Sequence, residues 1–160
     1  MLGEAPWPPE SGYRIRCWEI LRRLARRHEV HLLARGSGRV AGAAWAATFA
    51  SVRLVPARRA GVVSLAQSLV SNVPHHARLF DGPALRAALR EQAENCDVIY
   101  AHYLYFARAL DALGPSRPPV VLDQHNLDHE TWDSHAAVAR WPQRWWLRRQ
   151  AELIRRDERR

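Results

Sequence analysis

No lysine occurs anywhere in this chain; all 24 basic residues among its 160 are arginine. Arginine used to that degree, together with abundant alanine, is what coding bias in a GC-rich genome produces. The net charge of +8 therefore does not by itself point to nucleic acid or an anionic membrane. The charge is also uneven, because residues 140–160 hold eight arginines against Glu152, Asp157 and Glu158, which leaves the main body only mildly basic. Cysteine is scarce as well. Cys17 falls in a helical pattern and Cys96 just before a strand, which excludes a disulfide framework and fits two small buried hydrophobes in a reducing compartment. No apolar run reaches the roughly 18 residues needed to span a bilayer, and no basic segment followed by an apolar one opens the chain. The expected location is cytoplasmic. Glycine-rich phosphate fingerprints are missing too, since the first loop offers only Gly12.

What is present is a globular composition, 48% hydrophobic, in a chain long enough for one domain with a real core. Residues 15–28 place Cys17, Trp18, Ile20, Leu21, Leu24 and Ala25 on one face of a helix, with arginines opposite. Strands are expected at 29–34, 51–56, 97–101 and 120–123, with a turn at 35–38 and helices at 40–49, 62–72, from Pro83 onward, at 104–113 and from Pro142 onward. Strands alternating with helices imply βαβ crossovers, hence an α/β fold with a parallel sheet and helices on both faces. Met1–Ala5 is too short for a full opening strand, and the arginine-rich last helix has no cap. The expectation is a single domain, 1–160, cut at both ends from a longer protein.

The densest chemistry lies at Pro118–His129, PPVVLDQHNLDH. An apolar run, Val120-Val121-Leu122, is expected to be a buried strand that ends in Asp123, Gln124, His125, Asn126, Asp128 and His129. In an open α/β sheet such a strand delivers those groups to the crevice at the carboxyl ends, where ligands bind. The loop PWPPESGYRIR opens on the same edge, so Ser11-Gly12, at a helix N-terminus that favours phosphate, faces the same crevice as His125. His102 ends the preceding strand there, either as a ligand contact or as a structural hydrogen bonder. His75 and His76 are expected in solvent, and His28 and His31 in structural roles. Asp123, His125, Asp128 and His129 invite a metal reading, but their spacing matches no zinc pattern and no metal is expected. Trp132, Trp141, Trp145 and Trp146 with the tail arginines could bind nucleic acid by stacking, although covering a domain edge is the stronger reading, and no nucleic acid is expected.

Three segments together, PWPPESGYRIRCWEILRRLARRHEVHLLA at 6–34, CDVIYAHY at 96–103 and VVLDQHNLDHETW at 120–132, followed by the helix ending RRDERR, resemble the N-terminal domain of family-4 glycosyltransferases. The resemblance implies a Rossmann-like domain forming half of a GT-B fold. It also implies transfer of a glycosyl unit from a nucleotide diphosphate sugar to a glycan or lipid-linked acceptor with retention of configuration, without a cofactor or metal. It places His125 at the reacting centre as the catalytic residue, with Ser11 and Gly12 binding the donor; His102, Asp123 and Asn126, at the same strand ends, are further candidates for substrate binding. The family's donor-binding C-terminal domain, with its paired glutamates, is absent from this sequence, and Tyr13 replaces a second glycine common in the first loop. The 160-residue chain alone is therefore expected to be inactive, with peripheral contact to the inner face of the membrane as a further expectation. The alternative is a non-catalytic arginine- and tryptophan-rich module binding nucleic acid or an anionic membrane.

Overall fold

The computed structural model describes residues 1–36, 44–56 and 61–159. Its first half runs α1 (Gly12–Leu24), β1 (His31–Arg35), a 3₁₀ turn (Ala44–Thr48), β2 (Ser51–Val55), α2 (Val62–Val70), α3 (His75–Phe80) and α4 (Pro83–Ala93). Then follow β3 (Ile99–His102), a 3₁₀ turn (Leu104–Phe106) leading into α5 (Ala107–Asp111), β4 (Val120–Asp123), α6 (Asp128–Val138) and α7 (Gln143–Glu158). Half of the turn expected at 35–38 and the start of the helix expected at 40–49 lie outside the described residues.

All strand pairs are parallel, as the alternation of strands and helices requires. β1 pairs with β2, ending at Arg35 opposite Val55, and β3 pairs with β4, ending at His102 opposite Asp123. The two pairs are joined by Met1 and Leu2. The Leu2 N–H donates to Leu33 O at 2.8 Å and its carbonyl accepts from Arg35 N. The Met1 amine donates to Tyr100 O, and His102 N donates to Met1 O at 3.1 Å. Met1 thus bonds to the residues on either side of Ala101, which is a parallel ladder pattern. The short N-terminal segment sits at the centre of the sheet.

Alternation along β1 builds the layers. Leu33 faces one side, packing with Val55, Ile99 and Ala101 from the other strands, Leu85, Ala88 and Leu89 of α4, and Phe106, Ala109 and Leu110. Leu32 and Ala34 face the other side, with Leu2, Phe49, and Cys17 and Leu21 of α1. The expected α/β architecture with helices on both faces is present. Ser11 caps α1 through its hydroxyl, which accepts from Arg14 N at 3.3 Å, and Gly114, at φ 81°, ends the α5 segment where a left-handed residue is needed.

Three expectations need correction. Residues 128–138 form a helix; α6 carries no apolar stripe and docks against α7 through Trp132 on Trp146, His129 on Glu158 and Asp133 on Arg155, so periodicity does not reveal it. Val121 and Leu122 are 50% and 43% exposed, because among the described residues β4 is an outer strand paired only with β3. His75 is buried and His76 half-buried in α3: His75 packs on Trp146, and His76 lies between Tyr105 and Trp132, with burial lowering its pKa to about 3. Both cysteines are free, Cys17 buried and Cys96 half-buried. Among the described residues no helix is long and apolar enough to cross a membrane.

Candidate functional site

Two strands and one helix converge at the carboxyl edge of the sheet. The register of β3 on β4 sets His102 beside Asp123, and the chain leaving β4 carries Gln124 and His125 over them. Tyr100 lies two residues before His102 and so shares its face of the strand. From α1, Tyr13, Arg16 and Cys17 occupy i, i+3 and i+4, one face of the first turns.

His102 is fully buried, and its Nδ1 lies 3.0 Å from His125 Nε2, 3.6 Å from Cys17 Sγ and 3.6 Å from Asp123 Oδ2. His125 Nε2 is 3.5 Å from the same carboxylate oxygen. Asp123 accepts from the Tyr100 hydroxyl at 2.7 Å and from Arg16 Nη2 at 3.0 and 3.1 Å. Burial alone would raise the Asp123 pKa, but the hydrogen bonds from Tyr100 and Arg16 outweigh it and hold the carboxylate below its usual range. Burial and the neighbouring carboxylate push the Tyr100 phenol up, which keeps it a donor. Burial likewise raises the Cys17 thiol to about 11 and lowers His102 to about 4, so both are neutral at pH 7.

The neutral tautomers follow from the orphaned nitrogen. His102 Nε2 is buried without a hydrogen-bond partner. A proton there would be a desolvated, unsatisfied donor costing about 1–3 kcal/mol. Asp123, whose charge Arg16 and Tyr100 already meet, sits beyond hydrogen-bond length from either ring. The proton of His102 therefore resides on Nδ1 and is donated to His125 Nε2. That places the proton of His125 on Nδ1, which has no partner among the described residues. His125 thus presents a hydrogen-bond donor at the carboxyl edge of the sheet. Imidazole ¹⁵N spectra should show both rings as Nδ1–H tautomers, with His102 uncharged until the pH falls to about 4. A His102 ring protonated at Nε2 near neutrality would overturn the assignment. Because the folded pKa lies below the unfolded value of 6.5, acidification through that window protonates the unfolded chain first and lowers stability.

An aromatic wall lines the approach. Tyr103 stacks on Tyr13 at 5.3 Å and on Tyr105 at 5.1 Å, and the His125 ring lies 5.6 and 4.9 Å from Tyr13 and Tyr103. Tyr103 has φ 71°, a strained conformation for a tyrosine, worth about 1–3 kcal/mol and typical of functional sites. Gln124 pins the loop, accepting from Leu104 N at 3.0 Å and donating to Asn126 O at 2.9 Å and Asp128 Oδ2 at 3.0 Å.

Of the residues expected from sequence, the structure brings His102, Asp123 and His125 into one cluster. Ser11 spends its hydroxyl on the helix cap. Gly12 is exposed, with nothing within 4 Å of where a Cβ would stand, so its backbone is open to a ligand. Asn126 is exposed, outside the cluster, and His102 orients the His125 ring. Asp128 turns to Gln124, and His129 pairs with Glu158 of α7, so neither joins His125. Arg16, Tyr100, Tyr13 and Cys17 were missed. The period-two match of Tyr100 to His102 was the one available signal. The metal-like grouping that forms is His102, Asp123 and His125, with ligand atoms within 4.8 Å of one another. A cation there would have to displace the Arg16 guanidinium from Asp123.

The model of the family described as Glycosyltransferase Family 4 matches residues 11–156. Neither the curated proteins nor the solved structures yield a match.

Proposed function

Because the chain belongs to glycosyltransferase family 4, we propose that it forms the acceptor-side half of a GT-B enzyme that moves a sugar from a nucleotide diphosphate sugar to an acceptor with retention of configuration. The observation that carries this reading is His125, locked by His102 at the end of β4 and presenting an N–H beside the Tyr13 and Tyr103 rings. An N–H donor fixed there stabilises negative charge developing on a sugar oxygen without reorganising. The exposed Ser11-Gly12 amides at the start of α1 meet the donor's phosphates, favoured by the helix dipole. His102 and Asp123 act through His125 as positioning residues, and Asn126 contributes at the exposed rim. Most nucleotide contacts belong to a second domain, and no cofactor or metal takes part. The acceptor is a glycan or lipid-linked sugar in the cytoplasm. Trp141 and Trp145, 83% and 53% exposed beside the arginines of α7, support peripheral contact with the inner membrane face.

The test screens nucleotide sugars for hydrolysis and transfer with the two-domain enzyme. One donor should be turned over with the anomeric configuration kept, while the 160-residue chain alone binds that donor weakly. Micromolar affinity of the isolated chain, which would require about 8 kcal/mol from one wall of the cleft, would refute the placing of the nucleotide contacts. Absence of turnover with every donor would refute the transferase reading.

A further inference from the structure

On the same edge of the sheet, away from His125, Arg35 ends β1 opposite Val55. Its guanidinium lies 3.9 Å over the Phe80 ring and faces a cavity of about 190 Å³, walled by Val55, Leu79, Phe80 and the start of α4 at Gly82–Leu85. Arg14, Arg16, Arg53, Arg86 and Arg155 each rest on a carboxylate, whereas Arg35 pairs with none among the described residues. Burial lowers its pKa, and no acidic group offsets that cost. The nearest carboxylate in sequence to the cavity wall, Asp81, is held by Arg86 at 2.6 Å through both oxygens. The first turn of α4 has neither a side-chain cap nor an acidic residue. A half-desolvated positive charge, already oriented by an aromatic ring and opening on a cavity, is arranged for an anion from outside the protein.

We infer that this cavity is an oxyanion subsite in which Arg35 grips a phosphate group carried by the acceptor. The inference rests on the glycosyltransferase reading for the word acceptor. The guanidinium fork matches two phosphate oxygens, and a third points at the α4 N-terminus. The apolar walls exclude water and strengthen the pairing. The cavity is linked to the reacting centre by consecutive ring contacts: Phe80 to Tyr105 at 5.0 Å, Tyr105 to Tyr103 at 5.1 Å, and Tyr103 to His125 at 4.9 Å. A hydroxyl at His125 and a phosphate at Arg35 thus fit one acceptor lying along this aromatic row.

The test needs no transfer activity. Inorganic phosphate is titrated into the isotope-labelled 160-residue chain at constant ionic strength, following the Arg35 Nε–H and the Ala84 and Leu85 amides. Saturable shifts at these three groups are expected, and Arg35→Gln should weaken binding about tenfold, the loss of one charge-assisted contact. Arg53→Gln should leave it unchanged. Should Arg35→Gln fail to fold, the wild-type shifts and Arg35→Lys, which keeps the charge but not the fork, decide the matter. Glycerol 3-phosphate should bind where glycerol does not. Competition by phosphatidic acid vesicles would identify a lipid headgroup as the source, and its absence a soluble phosphoester. Shifts confined to the α7 arginines, or equal affinity in Arg35→Gln, would overturn the subsite. Either result leaves the transfer assay and the role of His125 untouched.

Discussion

On the proposed function, replacing His125 by alanine should lower kcat about 100- to 1,000-fold while KM changes little, in a transfer assay with the proposed two-domain enzyme. The loss corresponds to about 2.7–4 kcal/mol, the usual cost of deleting one preorganised donor aimed at charge that develops in the transition state. The contact strengthens only as the reaction proceeds, so it is felt in kcat and not in ground-state binding. The melting temperature should fall by only a few degrees. Alanine strands the His102 Nδ1–H, but Asp123 Oδ2 at 3.6 Å is close enough to take it after a small shift. Retention of kcat within about threefold together with a collapse in melting temperature would mean that His125 is structural. The reacting centre would then lie elsewhere on this edge.

Phe106→Ala should cost about 3–5 kcal/mol, a large share of the roughly 5–15 kcal/mol that holds a domain together. Phe106 is fully buried where residues from β1, β2, β3 and α4 meet, touching Phe80 edge-on at 5.5 Å. Leu33, Leu85, Leu89 and Ala101 belong to regular elements, which limits how far the space can close. Urea unfolding should show a lower midpoint with an unchanged slope. A loss under about 1 kcal/mol would mean that the chain collapses around the cavity and that this cluster is not the mechanical centre of the fold. Because Phe80 also packs on Tyr105, the same change should loosen the aromatic row leading to His125.

The parallel α/β layout was legible because it rests on local rules. The β-branched runs at 51–55 and 120–123, the proline opening α4 at Pro83 and the glycine stop at Gly114 each act over a few residues. His125 could be read from its place at the end of an apolar run. His102 was seen only as one of two possibilities, since nothing local fixes whether a strand-end histidine is buried against another. Arg16 reaching Asp123 spans 107 residues, and only the docking of α1 on β3 brings them together. The helix α6 escaped because its stabilising contacts are polar, Asp128 to Gln124 close by in the chain and His129 to Glu158 and Asp133 to Arg155 across to α7. The same blindness placed His75 and His76 in solvent, when the tryptophans of α6 and α7 enclose them.

The left-handed backbone of Tyr103 also constrains how this edge of the domain can vary. A β-branched residue there would clash with its own carbonyl, and glycine, which adopts the conformation freely, would remove the ring between Tyr13 and Tyr105. The bend is therefore held by stacking: the contacts with Tyr13 and Tyr105 on either side offset the backbone strain and fix the ring without a ligand. On the proposed function, a sugar settling on such a shelf orders little protein, so less of its binding energy is consumed in organising the site and more is left for the transition state.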